Sequence, residues 1–122
     1  FLGLSLRRLG RHPEAEAVYR EAVALSPFDG TPWNELGLLY LGWGRPDEAR
    51  EAFAASAHAD PRITAPVENL ASMDRAAGRP AEALAHAREA HRRAAAFRDE
   101  DDRLKFRRLM DVLAREAEPA RR

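Results

Sequence analysis

The sequence predicts an all-α fold, a right-handed α-solenoid of helix-turn-helix repeats with a C-terminal capping helix. Three observations carry that expectation. Shifting the chain by 34 residues superposes Leu2, Leu36 and Leu70, and likewise Gly10, Gly44 and Gly78, Arg11, Arg45 and Arg79, Glu14, Glu48 and Glu82, and Ala15, Ala49 and Ala83. Within each period apolar residues recur at three and four residues, the spacing of a helix with one buried face. At the end of the chain, Phe106, Leu109, Met110, Leu113 and Ala117 make one apolar stripe on a charged segment.

Residues 1–9 read as the remainder of a first helix, with Leu2, Leu6 and Leu9 inward. Gly10 ends it, because glycine accepts the left-handed backbone that closes a helix. Pro13 opens the second helix, where its missing N–H costs nothing, and Glu14 and Glu16 sit in the turn that favours negative charge. Its inward stripe is Ala15, Val18, Tyr19, Ala22 and Val23, running to about Leu25 before Pro27. Phe28-Asp29-Gly30 makes the turn, with Thr31 as N-cap and Pro32 at the first helical position.

The next helix, to about Trp43, buries Trp33, Leu36, Tyr40 and Trp43, and Gly37 marks a close crossing with its partner helix near Ala49. Gly44, Pro46 and Glu48 repeat the stop and start, and Ala49, Ala52, Phe53 and Ser56 point inward up to about Ala59. Pro61 forces a turn. A third unit opens at Thr64-Ala65-Pro66 with Val67, Leu70 and Ala71 inward and turns at Gly78-Arg79-Pro80. Here Asp74 stands where Tyr40 stands, Ala87 where Phe53 stands and Ala95 where a proline is expected, so the unit packs differently. Small residues at 83, 85, 87, 90, 94, 95 and 96 let another helix approach, and the final helix supplies it, with Lys105, Arg108, Asp111 and Arg115 on its wet face. A break is expected near residues 97–101, with Asp99 or Asp101 as cap, and residues 118–122 should fray.

The middle unit carries W-x2-L-G-x2-Y at Trp33, Leu36, Gly37 and Tyr40, then A-x3-F at Ala49 and Phe53, then Pro61. At this period the chain resembles the tetratricopeptide repeat (TPR) family over about residues 1–96. The division that follows is a single domain with repeats of about 1–29, 30–63 and 64–97 and a capping helix of about 99–117. The position matching Trp33 would fall before Phe1, so the chain is expected to be a piece of a longer protein.

The resemblance implies a concave groove, lined by the free faces of the first helices, that holds a partner protein or peptide. By register its set is Phe1, Leu4, Arg7 and Arg8; Thr31, Asn34, Glu35, Leu38 and Leu41; and Ala65, Glu68, Asn69, Ser72 and Arg75. The carboxylate clamp of some family members is not reproduced, since Ala65 and Asn69 stand where basic residues would fall. The asparagine ladder of another subgroup is missing, since Phe1 and Glu35 stand where Asn69 would repeat. Leu4, Leu38 and Leu41 would form an apolar patch flanked by Arg7, Arg8 and Arg75, suited to a segment with apolar anchors and some acidic residues. The alternatives are a structural module that self-associates through its incomplete first repeat, and a regulatory appendage of a larger enzyme or transcription regulator.

Composition narrows the classes further. Lys plus Arg and Asp plus Glu both total 20, so the chain lacks the excess positive charge of a nucleic-acid or anionic-membrane binder. No apolar run approaches the about 20 residues that span a bilayer, and no signal-peptide pattern is seen in these residues. With no cysteine there is no disulfide, thiol nucleophile or thiolate site, so the compartment stays open, the cytoplasm being favoured. Arg outnumbers Lys 19 to 1 beside 25 Ala, the habit of a GC-rich bacterial genome. His86 and His91 are five apart and diverge on a helix, so a metal site is not expected, and His12, His58, His86 and His91 read as surface residues. Asp99-Glu100-Asp101-Asp102 lacks the glycine and alternation of a calcium loop. No nucleophile-base pair or phosphate loop can be placed on these helices, so neither enzyme activity nor a cofactor is expected.

A stability contrast follows from the register. Phe53→Ala should lower stability by about 3–5 kcal/mol by emptying an inter-helix wedge, whereas Ser72→Ala should cost little. Equal small losses in urea melts of the two variants would mean that the buried and open faces are reversed.

Overall fold

Each of three helical hairpins is turned by a glycine that only a residue without Cβ fills cheaply. Gly10, Gly44 and Gly78 have φ of 75°, 74° and 73°, the left-handed region. The chain then reaches back with the same long bond each time: Arg11 N donates to Leu6 O (2.9 Å), Arg45 N to Tyr40 O (2.8 Å) and Arg79 N to Asp74 O (2.8 Å). These bonds satisfy carbonyls that a helix end leaves open.

The computed structural model describes residues 2–96 and 100–118, leaving aside the side chains of residues 100 and 102. Those residues form seven helices and no strand: α1 (Leu2–Arg8), α2 (His12–Leu25), α3 (Gly30–Gly42), α4 (Pro46–Ala59), α5 (Ala65–Ala76), α6 (Pro80–Ala96) and α7 (Glu100–Ala117). The all-α hairpin architecture expected from the repeat is therefore present. The chain divides into two compact units, Phe1–Asp60 and Pro61–Arg122. Phe1, residues 97–99 of the break expected at 97–101 and residues 119–122 of the fraying expected at 118–122 lie outside the described residues; residues 100 and 101 are already helical in α7, and Glu118 lies just beyond its end. No described helix is long and apolar enough to cross a membrane.

In the first unit α1 packs on α2, α2 on α3 and α3 on α4. The α3/α4 crossing is close at Gly37, but the partner is the Phe53 ring rather than Ala49. A Cβ built on Gly37 would stand 2.8 Å from Phe53 Cζ and closer still to Cδ1 and Cε1. The α1/α2 crossing repeats the arrangement, with a Cβ on Gly3 falling 2.7 Å from Tyr19 Cε1. Leu36, Tyr40, Ala49, Ala52, Phe53 and Ser56 are buried as expected, and so is Leu39.

Several expectations need correction. Leu2 and Leu9 are exposed, while Leu36, at the register of Leu2, is buried: α3 packs on both α2 and α4, whereas the main packing of α1 is on α2. Trp33 and Trp43 are only half-buried. Trp43 ends α3 and stacks on His12 at 5.2 Å, with the Arg45 guanidinium 4.4 Å above its ring, so His12 is a packing residue. The N-cap of α3 is Asp29, whose carboxylate accepts from Thr31 N at 2.9 Å, not Thr31. The cap moves back because Gly30 is already helical, its carbonyl accepting from Ser56 Oγ at 2.6 Å.

In the second unit α5 packs on α6 and α6 on α7. Val67, Leu70 and Ala71 are buried, and Ala83, Ala87, Ala90 and Ala94 form a flat small-residue face on α6. Leu113 packs on Ala83 and Ala87 together with Leu84, Leu109 and Met110, and Phe106 is also fully buried. Ala85, Ala95 and Ala96 are exposed and take no part in that approach. Asp74, at the register of Tyr40, is buried and hydrogen-bonded to His86 Nδ1 at 2.7 Å, so His86 too has an internal partner.

Gly37→Ala should lower stability by about 1–3 kcal/mol, because the methyl has nowhere to go but into the Phe53 ring. Gly42, where an added Cβ meets nothing within 4 Å, should tolerate alanine with stability unchanged or raised by up to about 1 kcal/mol. Thermal melts of the two variants check the close approach.

Candidate functional site

Because α1 and α3 lie against the same helix, the step between them leaves a hollow. It is an open cleft of about 380 Å³ walled by Gly3 and Leu4 of α1, Val18, Tyr19 and Ala22 of α2, and Asp29, Thr31, Pro32 and Glu35 at the start of α3. Its surface is mostly apolar, and its volume falls at the lower end of ligand sites, about 300–1,000 Å³. Leu4, Thr31 and Glu35 belong to the set read from register. Val18, Tyr19, Ala22 and Pro32 do not. The sequence reads the helical stripe Ala15, Val18, Tyr19, Ala22 and Val23 wholly as core, whereas Val18, Ala22 and Val23 are only half-buried.

Tyr19, Asp29, Thr31 and Glu35 are the polar residues of its lining. Arg7 Nη1 lies 3.6 Å from Glu35 Oε2, a loose ion pair with both side chains about a quarter exposed. Tyr19 is 8 % exposed, and its buried hydroxyl has no partner within hydrogen-bonding geometry. Burial, and then the nearby Glu35 carboxylate, push the Tyr19 phenol above its ordinary pKa. Along α3, Leu38 is half-buried and Leu41 is 38 % exposed. Arg8 is exposed. Asn34 departs from expectation: it is buried, and its turn of the helix faces inward with Gly30 and Gly37.

A second cleft of about 330 Å³ in the same unit is lined by Arg20, Trp33, Tyr40, Glu48, Glu51, Ala52 and Ala55. The Tyr40 hydroxyl donates to Glu16 Oε2 (2.5 Å) and accepts from Arg20 Nη2 (2.8 Å). Burial and the bond to Glu16 raise its pKa.

In the second unit, Glu68 and Arg75 are engaged by α7. Lys105 Nζ lies 2.6 Å from Glu68 Oε1, and Arg75 Nη2 lies 2.6 Å from Glu116 Oε1. Ser72 is exposed and Asn69 half-buried. A hollow of about 120 Å³ lies among His91, Arg103, Leu104 and Arg107. Among the described residues, no three His, Asp or Glu side chains gather where they could hold a metal ion.

Tetratricopeptide repeat models match residues 1–30, 31–62 and 66–89. No curated protein matches the chain by sequence. Among solved structures, PcrH in complex with the chaperone binding region of PopD is similar, with TM-score 0.77 and 17% identity over 96% of this chain and 89% of that one. The type III secretion translocator chaperone SycD of Yersinia enterocolitica is similar with TM-score 0.72 and 18% identity over 93% of this chain and 79% of that one. SycD with a peptide of the translocator YopD matches at TM-score 0.74 and 18% identity, over 96% and 90%. At these identities the likeness is one of fold.

Tyr40→Phe should cost about 1 kcal/mol, since it leaves Glu16 and Arg20 without the hydroxyl between them. Arg7→Gln should change stability by less than about 0.5 kcal/mol, because a loose, partly wet ion pair contributes little. Urea denaturation of both variants tests which polar contacts hold the unit together.

Proposed function

The chain belongs to the tetratricopeptide repeat family, and from that premise we propose that it is a protein–protein interaction module, not an enzyme, holding a peptide segment of its partner. The contact surface in the first unit is the groove set of α1 and α3, namely Leu4, Arg7, Arg8, Glu35, Leu38 and Leu41; the members of the set in the second unit are Glu68, Asn69, Ser72 and Arg75 of α5. The single observation that supports it most is the apolar cleft of about 380 Å³ in the first unit, which includes Leu4 and Glu35 and lies on the helices that carry half-exposed Leu38 and Leu41. The similar structures of PcrH and SycD with segments of PopD and YopD support the same reading, as examples of this fold holding a peptide.

Charge pairing alters the partner's expected chemistry. Arg7 is matched by Glu35 and Arg75 by Glu116, so two of the three arginines expected to flank the patch are already paired within the chain. Acidic residues in the partner therefore add little. Apolar anchors carry the affinity, and an isolated surface charge pair would be worth little in any case.

A second reading, self-association through the first repeat, is favoured by a specific observation. Leu2, Leu25 and Phe28 are 63 %, 77 % and 82 % exposed, and exposed apolar side chains mark a contact surface where they join in one patch. Sedimentation separates the readings: a dimer dispersed by Phe28→Ser supports assembly, and a concentration-independent monomer supports the peptide module.

Screening an array of overlapping peptides, followed by isothermal titration of the best binder, tests the principal proposal. Leu38→Asp should abolish binding while leaving the melting curve nearly unchanged. If that variant unfolds instead, Leu38 is core and the groove assignment fails.

A further inference from the structure

The chain already holds one guanidinium between an indole and a carboxylate. That of Arg45 lies 4.4 Å above the Trp43 ring, and Arg45 Nε donates to Glu48 Oε1 at 2.7 Å. An indole face attracts a cation, and the planar fork of arginine can stack on a ring while it pairs with a carboxylate. The cleft of about 330 Å³ offers the same two groups again, as Trp33 of α3 and Glu51 of α4. Trp33 is half-buried and Glu51 exposed. Among the described residues, no cation stacks on Trp33 and none pairs with Glu51. The sequence explains the second absence. Glu14, Glu16, Glu48 and Glu89 each pair with an arginine three or four residues away, whereas Asp47, Glu48, Ala54 and Ala55 stand at those distances from Glu51.

We propose that this cleft is a second binding site, taking an arginine side chain of a partner protein with its guanidinium over Trp33 and paired to Glu51. Ala52 and Ala55 line the cleft beside them and give the methylene stem an apolar bed. The other charges nearby cancel: Arg20 donates to the Tyr40 hydroxyl at 2.8 Å and lies 3.8 Å from Glu16 Oε2, and Glu48 holds Arg45. One negative charge, that of Glu51, is left for a cation. The source is a protein segment, because Arg20 and Glu48, which could otherwise hold the carboxylate and ammonium of free arginine, are committed. Trp33 and Tyr40 stand two positions from Glu35 and Leu38, a little over half a turn around α3. The site therefore lies away from the groove set and goes beyond the peptide reading. The rival account is that Arg20, which also lines the cleft, swings across to fill it.

NMR titration with acetyl-Gly-Arg-Gly-amide tests the site, the Trp33 indole N–H serving as reporter and that of Trp43 as control. The peptide should shift the Trp33 indole and the amides of Glu51 and Ala55 saturably and leave the Trp43 indole in place. Glu51→Gln should bind it about twofold to fivefold more weakly, the worth of one exposed ion pair, with an unchanged melting curve. Added salt should narrow that difference. The citrulline counterpart, alike in shape but uncharged, should give no saturable shift. Equal affinity of Glu51→Gln and the unsubstituted chain, or equal affinity for the citrulline peptide, overturns recognition of the charge. Tighter binding of free arginine than of the blocked peptide overturns the protein source. A Trp33 shift that appears only in Arg20→Gln shows that Arg20 fills the cleft and overturns the site, as does the lack of a shift in either chain. None of these outcomes bears on the cleft beside Leu4, so the peptide reading stands or falls separately.

Discussion

An aromatic ring lying where a glycine lacks a Cβ sets the geometry of the first unit. Two helices whose backbones approach this closely leave no room for even a methyl at the crossing, and the ring fills the space from the other side. Gly37 with Phe53 fixes α3 against α4, and Gly3 with Tyr19 fixes α1 against α2. Protein interiors are packed densely enough that such a pairing has one solution, not a range of them. Once the crossing is fixed, Leu36, Leu39 and Tyr40 are carried inward and the opposite turns of α1 and α3 are carried outward. The cleft beside Leu4 and Glu35 is thus a consequence of the wedge that forms one of its walls.

The second unit meets the same constraint with different residues. Ala71 stands at the register of Gly37, and Ala87 at that of Phe53. A glycine and a large ring are exchanged for two methyls, which keeps the helices close and removes the bulk that projected beyond them. The volume reappears on α7, where Leu113 rests on Ala83 and Ala87 and Phe106 is buried. The polar end of each first helix is also rebuilt in kind. Where Tyr40 donates to Glu16, Asp74 meets His86, so a buried polar group keeps a partner in either case.

Features fixed by backbone rules were legible in the sequence. The three glycine turns, the helix starts at Pro13 and Pro46, the stripes Ala49, Ala52, Phe53, Ser56 and Ala83, Ala87, Ala90, Ala94, and the seam of α7 come out where the sequence pattern puts them, whereas Pro32, expected at the first helical position, is the third residue of α3. What was not legible depends on which neighbour is present, or on the side chain's own reach. Leu2 repeats Leu36 in sequence and not in burial, because a period specifies a face and not whether a helix covers it. Asp29 took the cap from Thr31 because Ser56, 26 residues away, draws Gly30 into the helix. Asn34 was assigned outward and Leu39 left unassigned, since the buried arc of α3 is wider than the motif positions suggest. The cleft itself was half legible: Leu4 and Glu35 follow from register, whereas Tyr19 carries the same register as a phenylalanine and only its hydroxyl departs from the core pattern.

The pattern of charge bears on what this surface can select. Arg7 faces Glu35 in the first unit, and Glu68 faces Lys105 while Arg75 faces Glu116 in the second. Exposed pairs of this kind add little to stability, but each cancels a charge that would otherwise reach a Debye length into solvent, about 8 Å at physiological salt. With a formal net charge of zero, the chain has no strong field with which to draw in or orient a charged partner. On the peptide-binding reading proposed above, discrimination then arises at contact, from the fit of apolar side chains against Leu4, Leu38 and Leu41. Pairing of charges along the helices leaves selectivity to short-range complementarity, because a surface charge already matched within the chain has little left to offer a partner.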